Sequence, residues 1–516
     1  MRNVSRVWPL WLAVAGLSVH AAAQAPARSP AQAPARSPAA APASALRQVA
    51  YIKASNPGEE DKFGDIIALS GDGNTLAVGA PLESSAAKGI NGKGANDAGQ
   101  SSGAVYVYAR IDNRWAEQAY IKASNPGSND QFGFGVGLSA DGNTLLVSAP
   151  YEDSGATGVN GNQEDNSVGN SGAVYVFSRT GSTWSQQAYI KASNTGEKDD
   201  GDQFGYSISV SDDGNTLAVG AIGEDSSAKG INGNQADNGS MGSGAVYVFT
   251  RSGGAWSQQA YVKSSTAARN ALFGYSVALS ANGDTLAAGA FDEDRGRGAL
   301  YVFTRSGGAW SQEARLRASN AEEQDSMACW VAISDDGNTI AAGSLDEDSL
   351  LTGVQPPDKG ADDEKTDKSA GAAYVFVRTG TTWSQQAFIK ASNTGEDDWF
   401  GVRLALSGDG NTLAVGAPNE DSAAKGINGK QDDDSADGAG AVYFFTRTGG
   451  TWKQEYYVKG SNTEKFDEFG SSMALSRDGR TMAVGAHFES GGAKGVGGNE
   501  ADNSVPHSGA AYVFVR

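Results

Sequence analysis

Cysteine is nearly missing from this chain: Cys329 stands alone among 516 residues. One thiol can form neither an intrachain disulfide nor a cysteine-based metal cluster. Histidine is almost as scarce, at three, and His20 lies in the N-terminal leader. His487 and His507 are too few for a histidine-rich zinc site and leave little material for a Ser-His-Asp triad. His487 follows Val-Gly-Ala where other copies of that string carry Pro, and it reads as a side chain at the start of a loop. Basic residues are also short: 40 Lys and Arg face 60 Asp and Glu, a formal net charge of −20. A nucleic-acid partner needs a basic stripe, so that class is excluded. The balance fits an extracellular protein or one that recruits cations. Beyond the leader, no apolar run is long enough to span a membrane.

The first residues, MRNVSRVWPLWLAVAGLSVHAAAQ, combine Arg2 and Arg6 with an apolar stretch and three small residues. This is the pattern of a secretory signal peptide over 1–23. Residues 24–45 are almost entirely Ala, Pro, Ser and Arg and duplicate APARSPAQ. They cannot bury a core and read as an extended linker. An exported protein in the extracellular space or cell envelope is expected, with no transmembrane segment.

From residue 46 onward one unit repeats. Phe-Gly recurs at 63–64, 132–133, 204–205, 273–274, 400–401 and 469–470, and a degenerate copy places Met327-Ala328 in the double-length gap. Seven units about 54 to 73 residues long are the signature of a repeat architecture. Each unit offers four short runs with turn residues between them. In the third these are 204–211, 216–221, 244–250 and 256–263. No segment has helical periodicity, and four strands repeated seven times predict an all-β, seven-bladed β-propeller with antiparallel blades. The chain ends at Arg516, after a third strand, while its opening string QVAYIKASN matches the fourth strand QQAYIKASN. The N-terminal strand is therefore expected to complete the last blade and close the ring, which removes an exposed edge. In that first copy Leu46 stands where Trp115, Trp184, Trp256, Trp310, Trp383 and Trp452 recur; these read as packing between blades.

The Phe-Gly pair, Val-Gly-Ala-Pro (78–81, 415–418) and Gly-Ala-Val-Tyr-Val-Tyr/Phe (103–108, 172–177, 244–249) resemble the FG-GAP repeat of the integrin α-subunit propeller and its bacterial relatives. The resemblance covers about residues 46–516. It implies the propeller fold and a ligand-facing surface made by the 2–3 and 4–1 loops. It implies much less about function.

Because strands alternate direction, the 1–2 and 3–4 turns share one face and the 2–3 and 4–1 loops the other. The first set is short, as in DGN and RTGST; the second is long and acidic, as in 222–244 and 193–203. Binding concentrates on such loops. Candidate ligand-face residues are Asp153, Asp165, Asp225, Asp237, Asp292, Asp294, Asp421 and Asp433. The blade-four loop, 291–298, is short and should leave a notch. The family's calcium loop would fall at Ser211-Asp212-Asp213-Gly214-Asn215, but its closing acid is missing and Arg480 stands in the seventh copy. A tight turn explains that string. Calcium could instead be held in a long loop by Asp225, Asn232, Asn234 and Asp237, oxygen donors whose spacing recurs in blade two. Asn-Gly turns explain the same letters.

An active site should break the repeat at one place. The diverged fifth blade, with Met327, Cys329, Trp330 and the insertion 351–369, is the oddest stretch, and divergence of one repeat is commonly drift. No enzyme is expected. The sequence reads best as a secreted, monomeric binding or adhesion propeller for a protein or glycan. The alternative is a cation-stabilised structural surface protein without a discrete ligand, and a propeller hydrolase ranks third.

Overall fold

A computed structural model describes residues 45–92, 97–197, 200–357 and 369–516. The signal-peptide residues and nearly all of the linker lie outside the described residues, as does most of the blade-five insertion.

Seven antiparallel sheets form the ring. Blade 1 comprises Ile66–Leu69, Thr75–Ala80, Ala104–Ile111 and Arg114–Ile121, and the other blades repeat this order. Inner strands are wholly buried, whereas outer strands alternate only over their first half. That is the burial expected when neighbouring sheets cover both faces of each blade. Residues Arg47–Ile52 pair with Ala510–Val515, so the N-terminal strand completes blade 7 as expected. Among the described residues, no helix is long and apolar enough to cross a membrane.

The repeated glycines are where neighbouring blades touch. Gly64 has φ +94, and a Cβ there would lie 2.4 Å from the Ala510 carbonyl oxygen. A Cβ on Gly79 would lie 2.3 Å from the Gly133 carbonyl oxygen of the next blade. Only glycine permits such backbone approach. The Phe before the first glycine then packs edge-on against two rings of its own blade, as Phe132 does on Tyr175 and Phe177.

The Trp positions lie at blade junctions. Trp184 Nε1 donates to Gln118 Oε1 of the preceding blade at 2.8 Å, and the Arg179 guanidinium stacks 5.3 Å from its ring centroid. The same Arg-Trp-Gln clamp recurs at Arg251-Trp256-Gln187 and Arg447-Trp452-Gln386.

Candidate functional site

The loop-bearing face is held by a buried ion pair in six blades. The 2–3 loop begins with a glutamate that receives the lysine ending the fourth strand: Lys53–Glu489 at 2.5 Å, Lys122–Glu83 at 2.6 Å, and Lys191–Glu152 and Lys459–Glu420 at 2.7 Å. Lys263–Glu224 and Lys390–Glu347 complete the set. All six lysines are fully buried. In blade 2, Glu152 also accepts Tyr189 Oη at 2.8 Å, Asn125 Nδ2 at 2.9 Å and the Ser154 amide at 3.1 Å. Burial lowers the pKa of Lys53, Lys122, Lys191, Lys263 and Lys459, and the paired glutamate opposes that shift. The network ties each long loop to the scaffold, so the rim is a positioned surface. Sequence reasoning missed it. The signal was present as a glutamate four residues beyond Gly79, Ser148, Gly220, Gly343, Gly416 and Gly485, matched by a Tyr/Phe-Ile/Val-Lys string.

Blade 4 departs from the pattern. Its loop is short, and Arg315 and Arg317 replace Tyr and Lys. Glu293 receives Arg315 and the Tyr301 hydroxyl there. Asp294 pairs with Arg317 at 2.6 Å, and both Asp294 and Arg295 adopt left-handed backbone. The short blade-4 loop thus carries Asp292 and Asp294 beside arginines.

The acidic candidates are used by their own loops. Asp153 Oδ1 accepts the Asn170 amide at 2.8 Å, Asp225 Oδ1 the Gly242 amide at 2.6 Å, and Asp421 Oδ1 the Gly438 amide at 2.7 Å. Asp165 Oδ1 accepts the Ser167 amide at 3.1 Å, and Asp433 is half-buried in the blade-6 loop. In the proposed calcium set, Asp237 accepts the Ser227 and Gly239 amides, Asn232 the Tyr261 amide and Asn234 the Ala236 amide. Each of these side chains thus already accepts from a backbone amide. Among the described residues, no group of three or more His, Cys, Asp or Glu side chains is arranged to hold a metal ion. Calcium in this loop would therefore have to compete with the loop's own hydrogen bonds.

Repeat symmetry is broken most clearly on the axis. Near the loop face, His487 Nδ1 lies 3.5 Å from Asp65 Oδ1 and His487 Nε2 lies 3.3 Å from Glu468 Oε2. Arg403 of blade 6 sits among them, over the Trp330 ring at 4.7 Å from its centroid, and is 4% exposed. Burial pushes Asp65 up to about 6 and Glu468 up to about 7, and it drives His487 well below its ordinary value. His487 is thus an axial group beneath the loop face.

At the other end the seven 1–2 turns meet, five of them DGN, with Asn282-Gly283-Asp284 in blade 4 and Asp478-Gly479-Arg480 in blade 7. The backbone amide preceding each turn donates to the next blade in an unbroken circle: Gly71 to Ala140, Asp212, Ala281, Asp335, Gly408, Arg477 and back to Gly71, at 2.9 to 3.1 Å. Above this floor opens a depression of about 730 Å³. Arg477 bridges it, with Nη2 at 2.5 Å from Asp335 Oδ2 and Nη1 at 3.7 Å from Asp212 Oδ2. The two acids of the DDGN string therefore separate. Asp213 organises the hairpin, accepting from Ser211 Oγ at 2.7 Å and the Asn215 amide at 2.9 Å, while Asp212 faces the axis.

These features define a closed seven-bladed repeat propeller with one loop-bearing face, one face of turns and a filled axis. The FG-GAP repeat family matches residues 46–108, 115–177, 184–249, 256–303, 383–445 and 452–514, more than half of the chain, and the chain belongs to that family. The fifth blade falls mostly in the long unmatched stretch, 304–382. No curated protein matches the chain. Among solved structures, a "putative 6-phosphogluconolactonase" from Bacteroides uniformis is 11% identical with a TM-score of 0.45, over 77% of this chain and 86% of that one. Hydrazine synthase from Kuenenia stuttgartiensis is 12% identical with a TM-score of 0.44, over 84% of this chain and 94% of that one.

Proposed function

We propose that this FG-GAP propeller is an exported binding or adhesion module that engages a protein or glycan through its 2–3 and 4–1 loop face. The observation that carries the reading is the unequal build of the two faces, with long acidic loops pinned by buried Lys-Glu pairs on one side only. A rigid scaffold that holds ordered loops in place lowers the entropy lost on binding. The module is read as non-enzymatic. Its loop acids repeat by blade, and the axial trio Asp65, His487 and Glu468 is largely buried.

A screen of glycans and extracellular-matrix proteins tests the proposal, run in parallel with a variant carrying Asp153→Asn, Asp225→Asn and Asp421→Asn. Asn keeps an acceptor for each loop amide and removes the charge. Binding lost in the variant supports the loop face; binding retained in full places the ligand elsewhere. The rival, a cation-stabilised structural protein, predicts a rise in melting temperature when calcium is added to chelated protein. No rise at millimolar calcium removes it.

A further inference from the structure

Ring closure rests on a strand that the clamps between blades bypass. Residues Arg47–Ile52 complete blade 7, but their covalent continuation runs to blade 1, so hydrogen bonds and side chains alone hold them against Ala510–Val515. In blades 1 to 5 the outermost strand does two things. It gives a Trp to its own blade's clamp, and it gives a Gln or Glu acceptor to the Trp of the next blade, as Gln118 does for Trp184 and Glu313 for Trp383. The closing strand does neither: Leu46 stands in the Trp position and Val49 in the acceptor position.

Both neighbouring blades show the omission. Among the described residues, Trp115 Nε1 of blade 1 is buried without a hydrogen-bond acceptor. Glu455 of blade 6 accepts from its own blade instead, from Thr446 Oγ1 at 3.3 Å and Lys453 Nζ at 3.4 Å. Arg516, at the clamp-arginine position, lies over the Phe444 ring of blade 6, 5.4 Å from its centroid. Phe444 and Tyr456 are paired across that blade where the other six pair Val with Ala, and they pack in one cluster with Leu46. The ring contact between blades 6 and 7 therefore runs through Arg516 and leaves the closing strand out. What holds that strand is concentrated at its loop-face end, where Glu489 accepts Tyr51 Oη at 2.8 Å and Lys53 Nζ at 2.5 Å. We propose that the closing strand is a releasable strap: the ring opens at blade 7 by peeling of residues 46–52 from the turn face inward, while the other six blades stay folded. Such an opening is a local unfolding step that uncovers one sheet edge, Ala510–Val515. It concerns closure alone and is independent of the loop-face reading.

Hydrogen–deuterium exchange of the full chain at pH 7, read by mass spectrometry, tests the strap. Residues 46–52 should exchange at least about tenfold faster than their counterparts 184–190 in blade 2, at urea concentrations well below those that unfold the ring. Tyr51 and Ile52 should lose protection together with the amides of Ala510–Val515 that face them. Protection lost at Arg47 to Val49 alone, with Tyr51 and Ile52 as slow as Tyr189 and Ile190, is fraying of a strand end and overturns the proposal. Arg47→Cys with Val515→Cys crosslinks two residues that stand opposite each other in the pair. The oxidised variant should slow exchange over 46–52 by about tenfold or more and leave 184–190 unchanged, and the reduced variant should match wild type. Equal protection of the two strands in wild type, or fast exchange that survives the crosslink, also overturns it. Melting curves confirm that the variant is folded; if the crosslink does not form, the wild-type comparison alone decides.

Discussion

Replacing Lys191 by Met isolates what the buried pairs contribute. Met keeps the length and most of the volume of the lysine stem and removes the ammonium that meets Glu152 at 2.7 Å and Ser171 Oγ at 2.7 Å. Glu152, 1% exposed, is left with neutral donors only: Tyr189, Asn125 and the Ser154 amide. Removing one partner of a buried pair costs about 3–5 kcal/mol, because a charge stays behind in a poor dielectric. Replacing both partners by groups without charge is much cheaper. The double variant Glu152→Gln with Lys191→Met should therefore lie closer to wild type than Lys191→Met alone, with a coupling of about 2 kcal/mol or more. Urea denaturation read by tryptophan fluorescence and by circular dichroism measures all four corners of the cycle. Coincident transitions in the two signals show that the ring unfolds as a unit. A single variant within about 1 kcal/mol of wild type would refute the reasoning, as would simple additivity in the double.

Trp184→Phe removes the 2.8 Å bond to Gln118 and weakens the Arg179 stack; a loss of about 1–2 kcal/mol is expected by the same denaturation assay. Deleting residues 1–52 strips the closing strand from Ala510–Val515 and leaves an unpaired edge, so size-exclusion chromatography should show loss of the discrete wild-type peak in favour of aggregates. Asp61, Asp130, Asp325, Asp398 and Asp467 are all pushed up to about 7, burial being the largest cause. A carboxyl raised above its unfolded value of 3.8 stabilises the fold most below that value, and the contribution is lost as pH rises through about 7. Asp398→Asn, which keeps an acceptor for the Gly395 amide, should therefore raise the melting temperature relative to wild type at pH 8 and give a smaller difference at pH 5. An equal difference at both values would contradict the shift.

The repeat carried the fold openly. Phe-Gly, Val-Gly-Ala and Gly-Ala-Val-Tyr mark the residues whose backbones touch between blades, and so they recur with little freedom: a Cβ at Gly79 has no room. Ring closure was legible for a related reason, since Gln48 to Asn56 copies a string whose place in the blade was already known. The buried Lys-Glu pairs were harder to see. Charged residues at loop boundaries look solvated in a sequence, and nothing local tells that Glu83 and Lys122, 39 positions apart, meet inside the blade. The loop acids raised the opposite difficulty. Their spacing suits calcium, yet backbone amides need acceptors at the same intervals, and Asp225 and Asp237 serve that need here.

The axis was the least legible region, because adjacency there is set by the ring rather than by the chain. Asp212, Asp335 and Arg477 come from blades 3, 5 and 7, and His487, Asp65 and Arg403 from blades 7, 1 and 6. Each occupies a position whose counterparts in most other blades are small or apolar, so each looks like drift when its own repeat is read alone. Seven drifting positions facing one another do not remain independent. A charge placed at one must be met by the others or stay unpaired in a confined space, where that costs several kcal/mol. Arg477 meets Asp335 across the ring, and Gly408 stays small where a side chain would strike both. The symmetric part of this chain thus accounts for its fold. The asymmetric part, read around the axis instead of along the chain, is where specificity has room to reside.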